Sequence, residues 1–335
     1  MFNTSSTSLE INNMHGTNNL NAVHKNQILK PNINHVYDNN DINDKIQEFH
    51  KSSNNIGKIA LLVRVRNDKH NDNIETFLKS LYTTLKCDLK HFRIIILFGF
   101  DEIAQPMFGN KKYQHYVKKQ LFQSLKNKLL QKYNNAGNRG SIQENYRNNV
   151  NNIEIKFLSY KSSNPCYIWN HLARKAYEFE HADYFYQLNS DNVILSKCTL
   201  AKLSNVLVSK DLIPNFGVAA AFDPQYKHVI TKAFFSRMHM DIFQGRFLPI
   251  PPSKSWCSDQ EYYLSHVYGR KHTFVKHSLI VTSNKGYRRG NKFRIEDQMT
   301  LSITQMSHEH AKWLFKEIQF GRNTIRKYIK SKFEK

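Results

Sequence analysis

Three stretches in the first third of the chain leave little choice of architecture. The first is KIALLVRVRN (58–67), a short apolar run, β-branched in part, that ends in charge. Such a run reads as a strand buried on both faces. The second is DNIETFLKSLYTTLK (72–86). Its Ile74, Phe77, Leu78, Leu81, Tyr82 and Leu85 recur at helical spacing and define one apolar stripe. Asp72 is placed to cap it, because a carboxylate accepts from the orphan amides of a first turn. The third, FRIIILFGFDE (92–102), is again a buried strand. Strand, helix and strand at this spacing make a βαβ unit, and a βαβ unit requires parallel strands.

The pattern is interrupted at 103–152 and then resumes. KKYQHYVKKQLFQSLKNKLLQKY (111–133) reads as a basic helix, followed by an Asn/Gly-rich loop. IEIKFLSY (153–160) predicts a third strand. NPCYIWNHLARKAYEFE (164–180) predicts a helix with Pro165 in its first turn, and ADYFYQLN a fourth strand. Further on, the sequence predicts a helix near 197–209, a strand at 216–222, a short helix at 259–268, basic strands and loops over 271–295, and a closing basic amphipathic helix near 307–333. Residues 1–56 are rich in Asn, Ser, His and Asp, too polar to offset their ordering entropy, and are expected to be a disordered leader. The organisation expected is therefore a leader at 1–56, one α/β domain at 57–300 carrying the 103–152 insertion, and a terminal basic helix at 301–335.

Charge narrows the partners. With 49 Lys plus Arg against 27 Asp plus Glu, the formal charge is +22, which implies affinity for something anionic. Lys and Asn are abundant throughout, as AT-rich coding alone produces. The four cysteines, Cys87, Cys166, Cys198 and Cys257, form no C-x-x-C pair, which argues against structural zinc. Their irregular spacing is expected of reduced thiols in a cytoplasmic setting. No apolar signal region and no apolar run long enough to cross a membrane are visible.

The fourth strand ends in Asn189, Ser190, Asp191 and Asn192 before Val193, Ile194 and Leu195 turn apolar again. In open parallel sheets ligands lie beyond the carboxyl ends of strands. Asp191 stands at such an end, although Asp-Asn also simply favours turns.

At this point the chain resembles nucleotide-sugar glycosyltransferases of the GT-A type, the broad group that includes family 2. The resemblance is carried by ALLVRVRN with IETFLKSLYTTL, by IIILFGFDE, by NPCYIWNHLARKAYEFEHADYFYQLNSDN, and by WCSDQEYYLSHVYG, covering roughly 58–290. It implies a Rossmann-like, mostly parallel mixed sheet flanked by helices. It also implies a UDP- or GDP-sugar donor, a divalent cation (Mn²⁺ or Mg²⁺), a glycan, protein or lipid acceptor, and inverting transfer. The family's D-x-D metal motif here reads Asn189-Ser190-Asp191, with one acid replaced by an amide, which weakens the site for hard cations.

The resemblance assigns Asp191 to the metal and offers His277 as a late second ligand, with His272 competing for that place. It puts Arg64, Arg66, Asn67, Asp101, Asn170, Asn189, Ser190 and Asn192 around the nucleotide and sugar. Asp259 or Glu261 would take the proton of the acceptor hydroxyl, with Trp256 beside them as an acceptor platform. His239, in the segment on the acceptor side, is more plainly a hydrogen-bonded residue, and NKGYRRGNKFR (284–294) reads equally as a lid over the diphosphate or as a solvated basic loop. The competing reading is a catalytically degenerate form of this fold that binds nucleic acid or an anionic surface through its basic helices. Those helices also suit an anionic membrane surface in the enzyme reading.

Overall fold

The computed structural model describes residues 57–66, 72–85, 87–120, 123, 152–162, 164–209, 213–226, 230–253, 257, 260–283 and 306–333. The Asn-rich leader, the insertion beyond its helical residues 111–120 (Gln123 apart), Asn67, Trp256, Asp259, the 284–294 loop and the side chain of Glu261 lie outside the described residues.

The expected βαβ unit is present. Strand β1 (Gly57–Arg64) is followed by helix α1 (Asp72–Thr84) and β2 (Phe92–Asp101), with β1 and β2 parallel. Asp72 is the first helical residue rather than the cap before it. Beyond the insertion come β3 (Ile153–Tyr160), α2 (Pro165–Glu178) and β4 (Tyr184–Asn189). Helix α2 starts where the sequence says it should. The Asn164 side chain accepts from the Cys166 amide at 3.0 Å, and Pro165 occupies the first turn, where a missing N–H costs nothing. The rest is β5 (Asn192–Ile194), α3 (Thr199–Ser209), β6 (Val218–Phe222), β7 (Phe234–Ser236), α4 (Arg237–Ile242), α5 (Gln260–Tyr268), β8 (Thr273–Ser283) and α6 (His308–Phe333).

The strands form an eight-stranded mixed sheet in the order β3-β2-β1-β4-β7-β6-β8-β5. Strands β3, β2, β1 and β4 are parallel, and β7 runs antiparallel between β4 and β6. This is the α/β, Rossmann-like architecture expected. Both sheet faces are covered. Ile59, Leu61 and Val63 pack with α1 and α3 on one side. Ala60 and Leu62 pack with α2, α4, α5 and α6 on the other. Double coverage is why β1 and β2 are apolar without a break from Ile59 to Val63 and from Ile94 to Phe100 instead of alternating.

Helix α2 lies directly on β2. A Cβ at Gly99 would come 2.7 Å from Ile168 Cγ2 and 2.9 Å from Leu172 Cδ1, so only glycine permits that approach. Because α1 and α2 cover opposite faces, the chain reverses direction across the sheet between β1 and β4. That junction is the topological switch point, and it fixes where a ligand can enter.

The cysteines correct the expectation of reduced thiols. Cys87 is bonded to Cys198 and Cys166 to Cys257, across 111 and 91 residues of sequence. Irregular spacing said nothing of this, because each pair is assembled by the sheet rather than by local sequence. The first bond ties the end of α1 to the start of α3. The second ties the first turn of α2 to the segment before α5.

Beside the first bond, Asp88 is fully buried and its Oδ1 accepts from the Ala201 amide at 2.9 Å, capping α3 from another element. Its Oδ2 is buried without a hydrogen-bond partner. Burial pushes the carboxyl up from 3.8 to about 7. A raised acid binds its proton more tightly folded than unfolded. The stability it lends is therefore complete below about pH 4 and lost as pH climbs through about 7. Asp88→Asn keeps the accepting oxygen and removes the titration. The amount by which the variant melts above the wild type is expected to be larger at pH 8 than at pH 5, as read by circular dichroism; equal differences at both pH values would contradict this.

Candidate functional site

Strands β1 and β4 are register partners through Arg64 and Asn189, and their ends frame the switch point. The backbone there is stitched tightly. The Ser190 amide donates to Arg64 O at 2.9 Å, and the Arg66 amide donates to Ser190 Oγ at 3.1 Å. The Asn189 amide donates to Asn192 Oδ1 at 2.8 Å, closing the turn. Ser190 and Asn192 therefore build the turn; their bonding is that of scaffold rather than of groups held open for a ligand.

Two oxygens are left over. Asp191 is 6% exposed. Its Oδ2 accepts from Arg66 Nη1 at 2.9 Å, while its Oδ1 is buried with no partner. Asn189 Oδ1 is likewise buried and unpartnered. A buried oxygen without a donor costs free energy, on the order of 1–3 kcal/mol, so two on one turn call for an explanation. Arg66 is half-exposed and can swing between Asp191 and an incoming anion. Arg64 stands 5.0 Å from the centre of the Trp169 ring, and the Trp169 indole donates to Leu188 O at 3.2 Å. That pairing sets the wall of the crevice on the α2 side.

Other expected contacts resolve differently. Asn170 is buried and fully bonded. Its amide nitrogen donates to Cys166 O and Leu248 O, and its oxygen accepts from the Phe247 and Leu248 amides at 2.9 and 3.0 Å. All four bonding positions are filled, so it holds the 247–248 backbone and has nothing left for a nucleotide. Asp101 is a turn acid: its Oδ1 accepts from the Ile103 and Ala104 amides, and Gln105 bridges from the Asp101 amide to Val65 O. His277 does not join Asp191. It is exposed, with its ring 5.0 Å from that of Phe222. The neighbour of Asn192 on β8 is Ser283, six residues further along. His239 is a core residue between the Tyr268 hydroxyl and Phe247 O, and burial lowers its pKa to about 4.

A second polar cluster went unread in the sequence. Asp223 and Lys232 form an ion pair with side chains 1% and 7% exposed. Thr231 Oγ1 donates to Asp223 Oδ2 at 3.1 Å, and the Gln225 amide donates to Oδ1 at 3.1 Å. The Tyr186 hydroxyl, fully buried, has no partner, and Asp223 adds to the burial that raises its pKa. Ser283 Oγ donates to Gln225 Oε1 at 2.9 Å, and Ser283 pairs with Asn192, so the cluster adjoins the Asp191 turn. The signal was present: the apolar run FGVAAAF is followed at once by Asp223, much as β4 is followed by Asp191.

Fold and site together define an α/β protein with a mostly parallel sheet, whose switch point lies between the ends of β1 and β4. No family profile matches the chain, and no curated protein sequence does. Among solved structures it is similar to TarS of S. aureus, at 12% identity and a TM-score of 0.37, covering 68% of this chain and 36% of that one. It is also similar to TarS 1–349, at 12% identity and a TM-score of 0.38, covering 83% and 75%. A cytidylyltransferase from Leptospira borgpetersenii serovar Hardjo-bovis is similar at 8% identity and a TM-score of 0.33, covering 66% and 74%. The chain thus spans about a third of the longer TarS chain. Likeness at this level carries no weight for function.

Among the described residues no three His, Cys, Asp or Glu side chains gather as a metal site. Asp191 Oδ1 and Asn189 Oδ1, both buried without a partner, are oxygens of the kind a hard cation takes. A pair of oxygens suits an ion that arrives with a diphosphate supplying further ligands, and does not suit one held alone.

Proposed function

We propose that the protein is a glycosyltransferase that moves a sugar from a UDP- or GDP-sugar to an acceptor hydroxyl with inversion. The observation that carries this reading is the orphaned, buried Oδ1 of Asp191 at the switch point, with Arg66 on the other oxygen of the same carboxylate. Departure of a nucleoside diphosphate builds negative charge on its phosphates. A divalent cation held by Asp191 and Asn189 would supply Lewis-acid stabilisation of that charge. Arg66, released from Asp191, binds the phosphates as a fork, and Arg64, ordered against Trp169, adds a second cation at the same strand end. Proton removal from the acceptor is assigned to Asp259 or Glu261, which follow Cys257 in the sequence.

Two disulfides favour an oxidising compartment over the cytoplasm expected from cysteine spacing. Among the described residues no helix is long and apolar enough to cross a membrane. The test of the reading is a donor panel. Purified protein is incubated with UDP- and GDP-sugars, with and without Mn²⁺, and nucleoside diphosphate release is measured. Metal-dependent release from at least one donor, including slow hydrolysis without acceptor, is expected. No release from any donor would count against transfer chemistry and favour the degenerate binding protein.

A further inference from the structure

Helix α6 has two unlike faces. Inward, Leu314, Ile318 and Ile325 are buried. A Cβ at Gly321 would lie 2.9 Å from both Tyr263 Oη and Val267 Cγ2, so the helix is pressed against α5. Its rotation is fixed by Arg322 Nε donating to His266 O at 3.0 Å and by Arg246 donating to Glu317 at 2.7 Å. The outward face is therefore rigidly presented.

That face carries Lys312, Lys316, Arg326, Lys327 and Lys330, all exposed, with Glu309 the one exposed carboxylate on the helix. It also carries Phe315 and Phe320, 62% and 56% exposed. A helix that has already buried its apolar stripe needs no aromatic rings in water. At 3.6 residues per turn the two rings stand about 140° apart around the axis, and all five cations fall within the arc between them. A basic strip flanked by two aromatic edges runs along a rod roughly 39 Å long.

We propose that the outward face of α6 docks the protein on an anionic lipid bilayer surface. Lysine ammonium groups on flexible stems suit the diffuse charge of headgroups, and flanking phenylalanines insert at the headgroup–acyl boundary on either side. A single-stranded nucleic acid is held in a groove between aromatic platforms, whereas this surface is a convex rod that meets a plane along its length. Docking of this kind is independent of the catalysis proposed above, and its test needs no donor.

Full-length protein is sedimented with phosphatidylcholine vesicles, alone or containing about 30% phosphatidylserine, at near-physiological salt. Binding to the anionic vesicles alone is expected. At about 1 kcal/mol per basic residue near the surface, Lys316→Gln/Lys327→Gln lowers the partition constant about 30-fold. Phe315→Ser/Phe320→Ser lowers it about tenfold or more, with the melting temperature unchanged because both rings are exposed. Equal binding to neutral vesicles, no binding to either, or anionic binding untouched in both variants would overturn the proposal. So would a single-stranded RNA that outcompetes vesicles while the Phe variant still binds it.

Discussion

Asp191→Ala is expected to lower donor turnover by about 10³-fold with no loss of fold. The magnitude follows from what the carboxylate does. It is the buried charge at the switch point, and removing one preorganised stabiliser of developing charge typically costs 10²–10³ in rate, at the upper end where a metal ligand goes with it. Stability should barely move. The ion pair lost is with a half-exposed Arg66, and such pairs contribute roughly 0–1 kcal/mol. Removing the carboxylate also relieves the orphaned Oδ1. Asp191→Asn should be nearly as inactive, because a neutral amide supplies oxygen without charge. Arg66→Ala should fall less in turnover and more in apparent donor affinity. Rate and melting temperature measured on the same preparations decide the matter; an Asp191→Ala enzyme within tenfold of wild type would remove Asp191 from the chemistry.

Lys232→Met is expected to be strongly destabilising. Asp223 has a side chain 1% exposed, and Lys232 is its only basic partner among the described ion pairs. Breaking a buried pair by removing one partner typically costs about 3–5 kcal/mol, because the remaining charge stays buried. For a domain of this size that is a drop in melting temperature of about 10 °C. Asp223→Asn/Lys232→Met removes the stranded charge and should recover more than half of the loss. Thermal melts of the three proteins test this. A single variant within about 2 °C of wild type would mean that the pair is not buried as described.

Legibility followed the physics of each element. Strands β1 and β2 announce themselves because both faces are covered, and α1 because only one of its faces is. β5 and β7 are three residues each, too short to carry a period, and they were not anticipated. Asp191 was readable as a carboxylate closing an apolar strand. Asp223 offered the same signal and was passed over because no resemblance pointed to it. Asn170 was assigned to the nucleotide by the resemblance, since nothing local reveals that residues 247–248 fold back onto it across 77 positions. The disulfides were hidden for the same reason: contacts between distant elements leave no periodic trace. Around His277, β8 slips register against β6 near Phe222, and a linear reading gives no sign of that.

The central claim is that Asp191 anchors a cation and a pyrophosphate between the ends of β1 and β4. Differential scanning fluorimetry with UDP and GDP, with and without Mn²⁺, on wild type and Asp191→Asn, tests it most directly. The account predicts that at least one nucleotide raises the wild-type melting temperature by several degrees only when Mn²⁺ is present, and that the variant shows no shift. Nucleotide stabilisation that ignores the metal, or that survives in Asp191→Asn, would contradict it.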